Sequence, residues 1–144
     1  WFAFSSQRAA MLAAVGNALA GYADHFAKLI VEETGKDAAA ADDEVAAAVA
    51  LLRTATPSDV SGVVGIVGDA ALPLLGALQL AVPALVAGAT VVIRPAPQAP
   101  SALFALAELT ARCNFPGGVF NILHGAEDAV NGLRNANGGQ ILFS

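Results

Sequence analysis

Residues 70–93 are 24 consecutive positions without a charged side chain, and this run constrains the fold more than any other stretch. An uncharged segment of roughly 18 residues or more is long enough for a helix to cross a bilayer. Pro73, Gly76, Gln79, Pro83 and Gly88 all lie inside it, however, and its character changes at Gly88. Helix-forming residues give way there to the β-branched Thr90-Val-Val-Ile93. The run therefore predicts a buried helix, a glycine stop and a buried strand, with no membrane span.

Such a segment needs covering on every side, and the rest of the chain offers little polar surface. Of 144 residues, 56% are hydrophobic and 13% charged, with mean hydropathy +0.63. Soluble domains typically carry about 25% charged residues, so the chain is expected to bury apolar faces against a protein partner. A net charge of −5 and a pI near 4.7, with the seven Lys and Arg scattered, exclude the basic stripe of a nucleic-acid binder. The lone Cys113 rules out an intrachain disulfide framework and suits a reducing, cytoplasmic setting. No basic-then-apolar leader opens the chain at Trp1, and the final Gln140-Ile-Leu-Phe-Ser144 looks like a strand cut from a larger design.

Two rhythms divide the sequence at about residue 56. Over 6–34, Leu12, Val15, Leu19, Tyr22, Phe26 and Leu29 recur at spacings of 3 and 4, predicting a helical face that Gly21 splits and Gly35 ends. Residues 38–54 form a further helix striped by Val45, Val49 and Leu52. Residues 1–56 are thus a helical segment, and 57–144 a β/α domain. Its strands are expected at 62–67, 90–93, 118–123 and 140–143, with helices at about 72–87, 100–113 and 126–135. Apolar strands alternating with helices predict an α/β fold: a Rossmann-like, mostly parallel sheet of about four strands, covered by helices on both faces.

Ligands of such sheets bind at the carboxyl ends of strands, which singles out the loops Gly68–Leu72, Arg94–Ala99 and His124–Asp128. The helices that follow could meet a phosphate with their N-termini. A Gly-x-Gly-x-x-Gly fingerprint is missing, since the glycines of "GVVGIVG" lie within the strand. Cys113 is expected to be a structural thiol, and His25 and His124 lack the spacing of a metal site. Arg94 is either a nucleotide contact or a surface charge. Asp69 fits a helix N-terminal acid, "ETGKD" a solvated turn, and Gly68 and Gly125 positions of backbone freedom where a ligand can approach.

Three stretches in series, "ETGK" (33–36), "GVVGIVGDAALPLLGALQLAVPALVAGATVVIRPAPQAP" (62–100) and "FPGGVFNILHG" (115–125), resemble the aldehyde dehydrogenase superfamily. The resemblance runs over nearly the whole chain and implies a partial cofactor-binding domain. In that family a Pro-Trp-Asn turn follows the first strand, and its Asn amide steadies the oxyanion formed when a cysteine thiolate attacks the aldehyde. Such a donor contributes about 2.7–4 kcal/mol. Here the turn reads Asp69-Ala70-Ala71, with no side-chain donor and an added carboxylate. The family's ribose-contacting Lys corresponds to Arg94, its nearby Glu to Pro97 and its helix-capping Thr to Ala99. The family's catalytic cysteine, general-base glutamate and Gly-Ser-Thr turn have no counterpart up to Ser144.

The resemblance thus implies no catalytic residue in this chain, no metal, no required cofactor, and at most weak NAD(P) contacts at Ile66, Gly68, Arg94 and Gly125. The expected function is a non-catalytic dehydrogenase-like domain, similar in kind to the assembly domain of long bifunctional proline-catabolism enzymes. Its partner would be a full-length aldehyde dehydrogenase, a second copy or an adjacent domain. Two alternatives stand beside it: a fragment of an active NAD(P)-dependent aldehyde dehydrogenase, and a nucleotide-binding sensor module.

Overall fold

A computed structural model of the chain describes residues 1–136 and 140–144. A short 3-10 turn, Phe2–Phe4, precedes α1 (Arg8–Gly21), α2 (Ala23–Thr34) and α3 (Ala38–Arg53). β1 (Val63–Val67), α4 (Leu75–Ala87), β2 (Thr90–Arg94), α5 (Ser101–Arg112), β3 (Phe120–Ile122), α6 (Glu127–Ala136) and β4 (Ile141–Phe143) follow. The uncharged run is a helix, a stop at Gly88 and a strand, and no helix among the described residues is long and apolar enough to cross a membrane.

All the strand pairs are parallel, in the order β3-β2-β1-β4. Val64 and Ile66 of β1 and Val91 and Ile93 of β2 share one buried core with residues of α1 to α5. The helical segment and the sheet are therefore packed as one body. Alternation along the strands turns Val63, Gly65, Val67, Val92 and Arg94 to the opposite face, where α6 contacts β1 and β2 through the buried Val130 and Leu133. That second face is only partly covered: Val63 is 47% and Phe143 58% exposed.

Element ends differ from expectation for local reasons. The helical face breaks at Tyr22, one residue after Gly21, and Tyr22 is exposed while Ile30 takes the buried position. β3 pairs only over Phe120–Ile122, because the side-chain amide of Asn121 occupies the carbonyls of Val91 (3.0 Å) and Gly118 (2.7 Å). α4 starts at Leu75, three residues later than the run predicts, after a turn spanning Ala70 to Leu74.

The start of α4 depends on a side chain from another helix. Leu74, at its N-cap, offers no capping side chain. Instead Glu44 of α3, 3% exposed, accepts from the amides of Leu74 (2.9 Å) and Leu75 (3.0 Å) through Oε2. Its Oε1 accepts from Lys36 Nζ at 2.9 Å, and Lys36 also donates to the Ala71 carbonyl at 2.7 Å. A carboxylate at a helix N-terminus satisfies orphan donors and is favoured by the macrodipole. Glu33 of α2 does the same for α5, accepting from Ser101 N (3.0 Å) and Ser101 Oγ (2.8 Å). "ETGKD" is thus not a solvated turn: its Glu33 and Lys36 tie the helical segment to both helices that leave the sheet.

Truncating Glu44 leaves two amides and an ammonium without their acceptor, so Glu44→Ala should lower stability by about 3 kcal/mol. Glu33→Ala, at a less buried site, should cost about 1 kcal/mol. Urea denaturation of the two variants checks the ranking, and equal losses would refute it.

Candidate nucleotide-binding crevice

With β1 central and β4 on its far side, the strand order reverses between β1 and β4. Open parallel sheets bind ligands in the crevice beyond the carboxyl ends of the strands at such a switch point. Gly68 follows β1 there, Ser144 follows β4 and donates its amide to Val67 O at 3.1 Å, and Arg94 ends the neighbouring β2.

The structure brings Gly68 and Arg94 together and leaves Ile66 and Gly125 apart from them. Gly68 N–H donates to Arg94 O at 2.8 Å. A Cβ on Gly68 would stand 3.2 Å from that oxygen and 3.4 Å from Pro95 Cα, so a glycine keeps this loop pair closed. Ile66 is fully buried, and its side chain faces the core instead of the crevice. Gly125 lies beyond β3, exposed, with φ +141°, and a Cβ there would fall 2.7 Å from Ala129 Cβ. Its backbone conformation and the close start of α6 account for the glycine without a ligand.

The phosphate sites expected at helix N-termini are already filled from within. Glu44 occupies the first amides of α4, and Glu33 the first amide of α5. At α6 the first turn carries Glu127 and Asp128, and Asp128 Oδ1 accepts from Ala129 N at 2.9 Å. Asp69 is not a helix acid either. It lies in the turn before α4, where its Oδ1 accepts from Ala71 N at 2.7 Å. Position 71 therefore has no side-chain donor, and its backbone donor is engaged by a carboxylate.

Arg94 differs from these groups. Its Nε is buried with no hydrogen-bond partner among the described residues, and its Nη1 makes only a 3.4 Å contact with the Pro95 carbonyl. A buried donor without an acceptor costs about 1–3 kcal/mol, and an anionic or hydroxyl ligand in the crevice would supply that acceptor. A dinucleotide therefore fits at the Gly68–Arg94 pair and finds no open helix terminus among the described residues. Composition pointed to Arg94 but not to Glu44, which shares the α3 face of Ala41, Val45, Ala48 and Leu52. An acid on an apolar stripe was the signal that could have found it.

Other candidates are placed away from the crevice. Among the described residues no group of three or more His, Cys, Asp or Glu side chains could hold a metal ion. His124 packs its ring 5.7 Å from Phe104, and His25 lies 6.1 Å from Phe26. Cys113 caps the end of α5 and packs against the core, and burial pushes its thiol above the usual range.

The sequence model of the Aldehyde dehydrogenase family matches residues 57–141. Succinate-semialdehyde dehydrogenase [NADP(+)] of Escherichia coli is 29% identical over 160 residues, covering 95% of this chain and 33% of that protein. Malonate-semialdehyde dehydrogenase 2 of Oceanobacillus iheyensis is 33% identical over 149 residues, covering 88% and 31%. Among solved structures, an NADP-dependent enzyme of E. coli superposes with TM-score 0.85 at 28% identity, covering 96% of this chain and 34% of that one. The chain thus spans about a third of the length of the relatives it matches.

Because a raised thiol pKa leaves little thiolate at neutral pH, Cys113 should alkylate more slowly than free cysteine and accelerate as pH rises. Iodoacetamide labelling followed by mass spectrometry measures this; labelling at pH 7 as fast as free cysteine would contradict it.

Proposed function

The chain belongs to the aldehyde dehydrogenase family, and from that premise we propose that it is a non-catalytic member of the cofactor-domain type, working beside a protein partner. The observation that carries this reading is the turn after β1. Where an oxyanion donor would be needed, Asp69 presents a carboxylate that holds the Ala71 amide, and Ala71 has no donor of its own. Negative charge developing on a carbonyl oxygen there would meet repulsion in place of roughly 2.7–4 kcal/mol of stabilisation. The partly bare sheet face, with Val63 and Phe143 exposed, supports a partner that is a longer dehydrogenase, a second copy or an adjacent domain.

A second reading, a module that still binds a nucleotide, is favoured by the unpartnered Arg94 Nε beside Gly68. A bound nicotinamide dinucleotide supplies a hydride acceptor. Gly68 would admit its backbone-hugging part and Arg94 would hold its ribose side. Neither residue moves a proton or attacks a substrate. That the chain is a portion of a working NAD(P)-dependent aldehyde dehydrogenase is supported by its coverage of about a third of enzymes such as the E. coli succinate-semialdehyde dehydrogenase.

The purified chain, given NAD+ or NADP+ with succinate semialdehyde or acetaldehyde, should form no reduced nicotinamide, and Ala71→Asn should remain silent. Turnover by the unaltered chain would overturn the non-catalytic reading. Light scattering should find oligomers or a co-purified dehydrogenase, and a stable, well-folded monomer would count against the partner.

A further inference from the structure

We infer that Arg94 is a reader of phosphate on an adenosine ribose, so that the crevice takes a 2′-phosphorylated adenine dinucleotide in preference to its unphosphorylated counterpart. This rests on the nucleotide-binding reading above. In parallel dinucleotide-binding sheets, an acidic residue holds the ribose hydroxyls when the 2′ position is free, and a nearby arginine accommodates a 2′-phosphate. β2 of this chain ends on Arg94, and the following Pro95-Ala-Pro-Gln-Ala-Pro100 contains no acid.

The surroundings strengthen the assignment. The other cation at this edge, Lys36, is taken up by Glu44 and the Ala71 carbonyl. The amides at the starts of α4 and α5 are held by Glu44 and Glu33, so the usual backbone route to a phosphate is closed at both. Asp69, the acid of the adjoining loop, is folded back onto Ala71 N. What remains at the carboxyl end of β2 is a guanidinium whose buried Nε has no acceptor and whose Nη1 is held only at 3.4 Å. A planar guanidinium offers paired N–H donors that match phosphate oxygens. A ribose hydroxyl accepts from one of them and brings no charge.

Calorimetry on the full chain with NADP+, NAD+, 2′,5′-ADP, 5′-AMP and inorganic phosphate tests this. NADP+ should bind about ten-fold or more tightly than NAD+, and 2′,5′-ADP likewise over 5′-AMP. Added salt should shrink the gap. Arg94→Gln should close it, and Arg94→Lys should keep part of it. Circular dichroism should show both variants folded, since Arg94 Nε makes no hydrogen bond to lose. The NADP+/NAD+ ratio of the unaltered chain needs no variant. Equal binding of the two, unmoved by Arg94→Gln, overturns the inference and leaves nucleotide binding standing. Inorganic phosphate binding as tightly as 2′,5′-ADP makes this a plain anion site and also overturns it. No binding of any nucleotide at millimolar concentration removes the nucleotide-binding reading, and the inference with it.

Discussion

A single buried carboxylate organises the region where this chain resembles an enzyme. Glu44 projects from α3 onto the first turn of α4, satisfying two amides and pairing with Lys36. Burying a charge is costly unless its bonding capacity is filled, and here both oxygens are engaged. The consequence is architectural. The α1–α3 segment cannot slide over the sheet without exposing a charge pair and uncapping the helix that follows the central strand. Lys36 then reaches on to Ala71 O, so the same cluster fixes the conformation of the turn after β1.

This arrangement also sets what the crevice has left to offer. Helix N-termini attract anions because their amides lack partners. At α4 and α5 the protein supplies its own anion, which steadies the fold and removes the sites a phosphate would use. The retained scaffold and the altered turn are therefore separable. Gly68 still packs against Arg94 O at the sheet edge, while Asp69 and Ala71 form a closed local hydrogen bond that faces no substrate chemistry.

The sheet was legible because β-branched runs and glycine stops carry their information locally. "GVVGIV" and "TVVI" became β1 and β2 within a residue of their expected limits. The capping network was not legible, since it joins residues 30 to 68 positions apart. A missing local cap at Ala99 reads as a loss, yet Glu33 restores the bond from a different helix. Glu44 was hidden for a related reason: periodicity scores an acid on an apolar face as an interruption, whereas here it is the most constrained polar side chain of α3. Of the crevice, the loops and Arg94 were readable, but the orphaned Nε is a property of packing alone.

The central position of β1 has a bearing on how the sheet assembles. β1 meets β2 across 27 positions (Val64 with Val91) but meets β4 across 76 (Gly65 with Ile141). Closing the longer loop costs about 1 kcal/mol more chain entropy, and β4 contributes only three residues in return. The β1–α4–β2 unit is thus the kinetic nucleus favoured by topology, with Glu44 and Lys36 docking onto it from the preceding helices. β4 joins last and opens first, so the side of the crevice formed by Ser144 is the most dynamic part of the sheet's edge, while the side formed by Arg94 is built early and held.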